Sequence, residues 1–148
     1  MPERSVSSGD SAHAEGYIGR VASADPPLSL AIVVDGRAVG GVGLHPMTDV
    51  NRRSAEIGYW LGATCWRRGI ATEAVTLVTE WAFGAHGLLR LFAQPFTANL
   101  PSRRVLEKAG YQLEGTMRCS AVKDGEIRDQ CLYARLSGSV GRAAARAT

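Results

Sequence analysis

The spacing of apolar residues changes abruptly near Gly69, and this change constrains the fold more than any other feature of the chain. Before it, residues 54–61 alternate between apolar and other side chains in the way that is typical of a β-strand. After it, apolar residues recur at helical spacing in a stripe made of Ile70, Ala74, Leu77, Val78 and Trp81. The sequence therefore predicts a strand, a short loop and then a long helix that ends near residues 83–84.

Several shorter patterns surround this unit. Asp35-Gly36 and Asp124-Gly125 are typical hairpin turns. A helix is predicted over residues 101–109, with Pro101 near its start and Gly110 after its end, and a short one over residues 13–22. The other predicted strands cover residues 29–34, 38–47, 88–96, 111–122 and 126–136. Hairpins, then strand–helix–strand–helix, then a closing hairpin predict an α/β (α+β) mixed sheet flanked by helices.

The ends of the chain lack such patterns. Residues 1–10 contain Ser, Gly and Pro without periodicity, and we expect them to be disordered. The tail of residues 138–148 is rich in Ala, Arg and Gly, and we expect it to be flexible. Between them, residues 11–137 form one domain, as the length of 148 residues also indicates.

Composition narrows the classes of function. A net charge of +3 suggests attraction for anions, but Arg67-Arg68 and Arg103-Arg104 form clusters that suit one phosphorylated ligand better than a nucleic acid. Three cysteines without CxxC spacing predict neither disulfides nor a zinc site, and they suit a cytoplasmic protein. No apolar run approaches the roughly 20 residues that span a bilayer, so we expect no membrane partner.

The loop before the long helix carries the strongest functional signal. Arg67, Arg68 and Gly69 stand directly before the predicted first turn, whose amide N–H groups have no partner within the helix. With the helix dipole, a pyrophosphate can bind to these groups, and the two arginines can add charge-assisted hydrogen bonds. The alternative is a solvated basic loop before an ordinary helix. The loop is not a P-loop, because the GxxxxGK[ST] lysine and hydroxyl are absent.

Residues 66–71 resemble the acyl-CoA-binding motif of the GNAT N-acetyltransferases, [Q/R]xxGx[G/A]. Gly69 and Ala71 match its fixed positions, whereas Trp66 stands at the Gln/Arg position. Residues 99–111 resemble the second family motif, NxxSxxxLEKxG[FY], and residues 114–118 and 129–136 are similar to the RimJ/RimL branch, which acetylates protein N-termini. With residues 55–61, the resemblance covers about residues 11–136.

The resemblance implies the GNAT fold and transfer of an acetyl group from acetyl-CoA directly to a primary amine, without a metal. The acceptor is a protein N-terminus or a small-molecule amine. The residues that it implies for CoA binding are Leu61, Arg67, Arg68, Gly69, Ile70, Ala71, Thr72, Asn99 and Ser102.

Two residues are predicted to be catalytic. A protonated amine cannot attack a thioester, so a general base is useful. The resemblance implies that Glu56 is this base, whereas the alternative is a solvent-facing strand residue. Ser102 is implied to assist the departing CoA thiolate, although a serine there also suits the start of a helix. Asn99 either caps that helix or contacts the pantetheine arm. We expect His45 and His86 to lie near no acid or cysteine at a useful spacing.

The chain also departs from the family pattern. The first strand and first helical segment of the family do not appear before residue 13, which leaves Ser29–Val34 as an exposed sheet edge. We therefore expect either a homodimer or coverage of this edge by residues 1–12. Two other functions remain open: a CoA-binding module with little or no turnover, and a basic nucleic-acid-binding domain. The lack of interleaved aromatic and basic residues disfavours the latter.

Overall fold

The computed structural model describes residues 4–7, 16–21, 28–138 and 140; for the first two ranges it describes the backbone alone. The helices are α1 (Ile70–His86) and α2 (Leu100–Lys108). The strands are β1 (Arg4–Ser7), β2 (Gly16–Val21), β3 (Leu28–Val34), β4 (Arg37–Pro46), β5 (Ser54–Leu61), β6 (Arg90–Ala93), β7 (Gln112–Lys123) and β8 (Glu126–Leu136).

All eight strands form one sheet in the order β1-β2-β3-β4-β5-β6-β8-β7. Neighbouring strands are antiparallel except β5 and β6, which are parallel and are joined through α1. A parallel pair needs such a crossover, because a tight turn can join only antiparallel strands. The predicted mixed, mostly antiparallel sheet with helices packed on it is therefore confirmed.

Both predicted Asp-Gly hairpins are present. Asp35 and Gly36 join β3 to β4 with φ values of 51° and 76°, and Asp124 and Gly125 join β7 to β8 with φ values of 53° and 77°. Two successive residues with positive φ define the type I′ turn, whose twist matches that of the flanking strands. These two turns set the pairing of four strands.

The N-terminal predictions need correction. Residues 16–21 form strand β2 rather than part of a helix, and Arg4–Ser7, within the decapeptide that was expected to be disordered, form β1. β2 pairs with β3 along its length, so β3 is not a sheet edge and the argument for a dimer through that edge fails. The covering segment is residues 16–21 rather than residues 1–12. Residues 141–148 of the tail lie outside the described residues.

Both helices cover the same face of the sheet, and the core lies between. β3, β4 and β5 contribute Leu30, Val42, Leu44 and Ile57, each at most 2% exposed. The buried residues of α1 are Ile70, Ala74, Val75, Val78, Thr79 and Ala82. The buried stripe is therefore shifted by one residue around the helix from the predicted stripe, and Leu77 and Trp81 are half-buried.

No helix in the described part of the chain is long and apolar enough to span a bilayer.

The two parallel strands, β5 and β6, stop pairing halfway along β5. Only residues 54–56 of β5 pair with β6, at residues 90–92. β5 then continues to Leu61, whereas β6 ends at Ala93 and the chain turns towards α2. This leaves an opening beside the second half of β5.

Candidate active site

A short, well-fixed loop follows the end of β5. The Gly62 amide donates to the Val39 carbonyl at 2.7 Å, and residues Ala63–Cys65 make one turn of 3₁₀ helix with Cys65 buried. Trp66 then reaches back, and its indole Nε1 donates to the carbonyl of Leu61 at 2.7 Å. The departure at Trp66 therefore has a structural use, because this side chain ties the loop to the end of the strand.

The loop delivers α1 with an open N-terminus. Gly69 precedes the helix with φ 75° and ψ 3°, a left-handed conformation that glycine adopts without strain. The Glu73 amide makes the first helical bond, to the Gly69 carbonyl at 3.0 Å. No side chain in the described part of the chain caps this end, so the preceding amide groups and the positive end of the helix dipole can receive an anion.

The two arginine pairs differ in their surroundings. Arg67 and Arg68 are exposed beside Gly69, where they add positive charge at the start of α1. Arg103 instead donates through Nε to the Tyr133 hydroxyl at 3.2 Å and through Nη1 to the Thr97 carbonyl at 3.0 Å. Arg103 therefore holds α2 against β8.

The N-terminus of α2 lies against the second half of β5. Asn99 is the N-cap, and its Oδ1 accepts from the Ser102 amide at 3.2 Å. The hydroxyl of Tyr59, on the helix-covered face of β5, lies 2.8 Å from Ser102 Oγ and 3.0 Å from the Ser102 carbonyl oxygen. Burial raises the pKa of Tyr59, and the hydrogen bond with Ser102 lowers it by less, so the phenol is neutral at pH 7.

Glu56 lies on the opposite face of the same strand, because successive side chains alternate. There, residues of β4 stand directly across from it and its neighbours: His45 opposite Glu56, Gly43 opposite Gly58, and Gly41 opposite Trp60. A shallow, open cavity of about 300 Å³ lies on this face, and the described residues that line it carry neither lysine nor arginine. The prediction that His45 lies near no acid at a useful spacing is wrong, because the register between β4 and β5 places it directly across from Glu56.

Trp60 forms one wall of this cavity, and its position depends on Gly41. The indole is 64% exposed, and a β-carbon added to Gly41 would lie 2.9 Å from Trp60 Nε1. That distance is shorter than real contacts of a β-carbon, so the indole lies where only a glycine leaves room for it. The second and third glycines, Gly43 and Gly58, complete a floor made mainly of backbone.

The structure thus gathers most of the predicted site residues around one opening: the loop and first turn of α1, the end of β5, and the first turn of α2. Glu56 lies on one face of β5, whereas Tyr59 and Ser102 lie on the other. Sequence reasoning missed the link between Tyr59 and Ser102, 43 residues apart, and the role of Gly41. Within the described residues, no group of three or more His, Cys, Asp or Glu side chains is placed to hold a metal.

The short parallel pairing of β5 with β6 and the uncapped, glycine-led start of α1 form an opening that is compatible with binding of a phosphorylated ligand. The family model described as an acetyltransferase (GNAT) domain matches residues 5–112. The chain therefore belongs to the GNAT acetyltransferase family.

Individual relatives agree with this assignment. The chain is 39% identical over 95 residues to an uncharacterized N-acetyltransferase of Bacillus subtilis (strain 168), YoaA, covering 64% of this chain and 53% of the relative. The structure of Mycobacterium smegmatis RimJ in complex with CoA-disulfide superimposes with a TM-score of 0.71 at 34% identity, covering 76% of this chain and 54% of RimJ. The ribosomal-protein-S5-alanine acetyltransferase of Vibrio fischeri shares the fold, with a TM-score of 0.71 at 24% identity over 76% of this chain and 62% of that one. The chain spans a little over half the length of the curated relatives YoaA and YjcK.

Proposed function

We propose that this chain transfers an acetyl group from acetyl-CoA directly to a primary amine. The observation that carries the proposal is the opening beside the second half of β5. The start of α1, with its uncapped amides, lies beyond the end of that strand, and Glu56 and the Tyr59–Ser102 pair lie on the two faces of the strand. In this proposal the opening combines a binding site for a phosphorylated donor with two functional groups for the transfer.

The first turn of α1 suits the pyrophosphate of CoA. In this proposal the backbone amides of Gly69, Ile70, Ala71 and Thr72 hold the phosphate oxygens, and Arg67 and Arg68 add charge. The backbone at the end of β5 lies along the pantetheine arm. The Leu61 carbonyl already accepts the Trp66 indole N–H at 2.7 Å, so an amide N–H of the pantetheine would share that oxygen, which has two lone pairs.

Glu56 removes a proton from the amine in this proposal. Free α-amines and lysines have pKa values of about 8 and about 10.4, so only a small fraction is neutral at pH 7. A positioned carboxylate, acting directly or through one water, contributes about 10²–10⁴-fold. Glu56 is half-buried on the face that carries the cavity, which suits a base that must reach both the acceptor and solvent.

In this proposal Ser102 assists the departing thiolate, while Asn99 positions Ser102. Asn99 caps α2 through the Ser102 amide, which fixes the backbone from which the serine hydroxyl projects and supports a capping role for Asn99. A thiol with a pKa near 8.5 is a tolerable leaving group, so we expect help of about tenfold from this hydroxyl.

An acyl-enzyme on cysteine is a poorer alternative. Cys65, the cysteine beside the loop, is buried at 5% exposure, and its sulfur has Thr64 Oγ1 as a neighbour, at 3.9 Å. A cysteine nucleophile needs an adjacent base and access to the thioester. Direct transfer through the opening needs neither.

The acceptor is a primary amine, either a protein N-terminus or a small-molecule amine. An amine approaches as a cation. Among the described residues, neither lysine nor arginine lines the cavity on the face that carries Glu56, whereas Arg67 and Arg68 lie at the loop proposed to bind the donor. In this proposal, the separation of charge keeps the anionic pyrophosphate of the donor apart from the cationic amine, while the thioester lies between them. Three free thiols, Cys65, Cys119 and Cys131, support a cytoplasmic location.

Binding of the donor is tested with Gly69→Glu. The parent should bind CoA with a micromolar Kd, about −8 kcal/mol, and the variant should bind at least about 100-fold more weakly, because a carboxylate and a β-carbon occupy the phosphate position. Gly87→Glu is the matched control. Gly87 ends the same helix with φ 62°, so it adds the same charge and the same backbone strain at the opposite end of α1.

Calorimetry with both variants separates the possibilities. Unchanged affinity in Gly69→Glu, or equal losses in the two variants, would contradict the phosphate site. Thiol release from acetyl-CoA with a panel of peptides, polyamines and aminoglycosides then tests the transfer. Tight CoA binding without thiol release for any amine would instead indicate the CoA-binding module.

A further inference from the structure

Two hydroxyl groups join β5 to the start of α2. The Tyr59 hydroxyl lies 2.8 Å from Ser102 Oγ and 3.0 Å from the Ser102 carbonyl oxygen. Tyr59 is half-buried on the helix-covered face of β5. Ser102 is the third residue of α2, and its amide is held by Asn99. Both residues are thus fixed by regular secondary structure, at the place where β5 has left β6.

The protons available to these three oxygens can be counted. A carbonyl oxygen only accepts hydrogen bonds, a phenol has one proton to donate, and a serine hydroxyl has one. When the Tyr59 proton points to the Ser102 carbonyl, the Ser102 proton is the one that links the two hydroxyls, and it points at Tyr59. When the Tyr59 proton points to Ser102 Oγ, the Ser102 proton is released to another acceptor. Two hydrogen-bond arrangements therefore exist for the same heavy atoms.

We infer that Tyr59 is a positioning residue that orients the Ser102 hydroxyl towards the leaving sulfur of CoA; the inference rests on the proposed function. The amine nitrogen forms a bond to the acetyl carbon, and the carbon–sulfur bond breaks. The electron pair of the broken bond moves to sulfur, and Ser102 donates a hydrogen bond to the thiolate. Tyr59 meanwhile donates to Ser102 Oγ, and the Ser102 carbonyl keeps its acceptor role in α2. The amine proton goes to Glu56 and then to water. The thiolate takes its own proton from solvent after release, so Tyr59 gives up no proton.

A second hydroxyl pair in the same core shows what a purely structural pair looks like. Thr79 Oγ1 and the Tyr111 hydroxyl are 2.7 Å apart and join α1 to the start of β7. Thr79 is fully buried and Tyr111 is 3% exposed, so this pair faces no opening. Ser102, by contrast, is half-buried at the first turn of α2. Tyr111→Phe is therefore a matched control that also removes one phenolic hydroxyl from a buried pair.

The first experiment measures the pKa of the thiol of bound CoA and needs no amine substrate. Thiolate absorbance is followed against pH as the difference between CoA-loaded and free protein. The absorbance of Cys65, Cys119 and Cys131 then cancels, and S-methyl-CoA, which has no thiol, provides the blank. We expect the bound thiol to titrate below its free value of about 8.5 in the parent. Ser102→Ala should raise this pKa by about one unit and Tyr59→Phe by about half a unit, whereas Tyr111→Phe should leave it unchanged.

The second experiment is a double-mutant cycle on turnover. If Tyr59 acts through Ser102, Ser102→Ala lowers kcat about tenfold, Tyr59→Phe about fivefold, and the double variant no more than Ser102→Ala alone. CoA affinity at pH 7 should change by less than about threefold in all three, because the backbone at the start of α1 holds the pyrophosphate. Multiplied losses in the double variant, or equal losses in Tyr59→Phe and Tyr111→Phe, would overturn the inference. So would an unshifted thiol pKa in Tyr59→Phe. CoA binding without turnover, with the expected thiol pKa values, would refute the transferase proposal and leave the positioning role intact.

Discussion

The two faces of β5 are built in opposite ways from consecutive residues. On the face towards α1 and α2, Ala55 and Ile57 are at most 2% exposed, and the Tyr59 hydroxyl is hydrogen-bonded to Ser102. On the other face, Glu56 lies across from His45, and Trp60 stands over the backbone of Gly41 beside a cavity of about 300 Å³. One eight-residue strand thus contributes both to the core and to an open surface.

This difference lets a single strand contribute to the core and also place groups for the proposed reaction on both of its faces. Burial of apolar side chains on the covered face fixes the position of the strand, and alternation then fixes where the residues of the open face must point. The groups proposed for the two ends of the reaction, Glu56 for the amine and Ser102 with Tyr59 for the sulfur, lie on opposite sides of this strand. A reacting thioester in the opening beside β5 would meet both.

The largest expected effect tests the separation directly. Ile57→Ala should lower the free energy of unfolding by about 3 kcal/mol, because it removes buried methyl groups and leaves a cavity. Trp60→Ala, three residues away on the open face, should change it by less than about 0.5 kcal/mol, although it removes a much larger side chain. Urea unfolding followed by circular dichroism measures both. A loss for Trp60→Ala that equals the loss for Ile57→Ala would mean that the open face is part of the core.

The next effect concerns turnover on the open face. Glu56→Gln keeps the shape of the side chain but cannot accept a proton, so kcat should fall about 100-fold at pH 7 and recover partly at high pH, where the amine deprotonates itself. The free energy of unfolding and the CoA affinity should stay within error of the parent. The pH–rate profile from pH 6 to 9 is the measurement.

His45 supplies the control for this prediction, because it stands directly across from Glu56. His45→Gln should reduce kcat much less than Glu56→Gln. The opposite ranking would make the imidazole the base and Glu56 its partner. Parental activity of Glu56→Gln throughout the pH range would show that the carboxylate takes no part in proton removal.

The sequence predicted the fold best where short-range rules decide. The alternation in β5, the Asp-Gly turns, and the Pro and Gly at the two ends of α2 all act within a few residues, and β5 has the predicted bounds, Ser54–Leu61. The prediction failed for the N-terminal region because Tyr17, Ile18 and Val21 also fit a helical stripe. Pairing with β3, which no local pattern reveals, decides that β2 is a strand.

The site divides in the same way. The loop around Gly69 could be predicted because its proposed role in phosphate binding depends on backbone that is adjacent in sequence. The contact of Tyr59 with Ser102 joins residues 43 positions apart, and the pairing of His45 with Glu56 requires the register between β4 and β5. Neither follows from spacing along the chain. Such contacts had to be read from the structure.

The smallest expected effect comes from one methyl group on the floor of the cavity. In Gly41→Ala the new β-carbon would lie 2.9 Å from Trp60 Nε1, 3.6 Å from Trp60 Cδ1 and 3.4 Å from the Leu30 carbonyl oxygen. The indole, being exposed, is free to yield where the backbone is not, so we expect Trp60 to move and the sheet to stay. If the indole contacts the acceptor, the acceptor KM should rise about tenfold in Trp60→Ala, as for loss of an aromatic contact to a cation, and about threefold in Gly41→Ala. CoA affinity should not change.

The double variant is the control for this prediction. Without the indole the new methyl group has nothing to displace, so the acceptor KM of the double variant should equal that of Trp60→Ala. A further rise in the double variant would show that Gly41 matters as floor for the acceptor itself, and an unchanged KM in all three would remove Trp60 from the acceptor site.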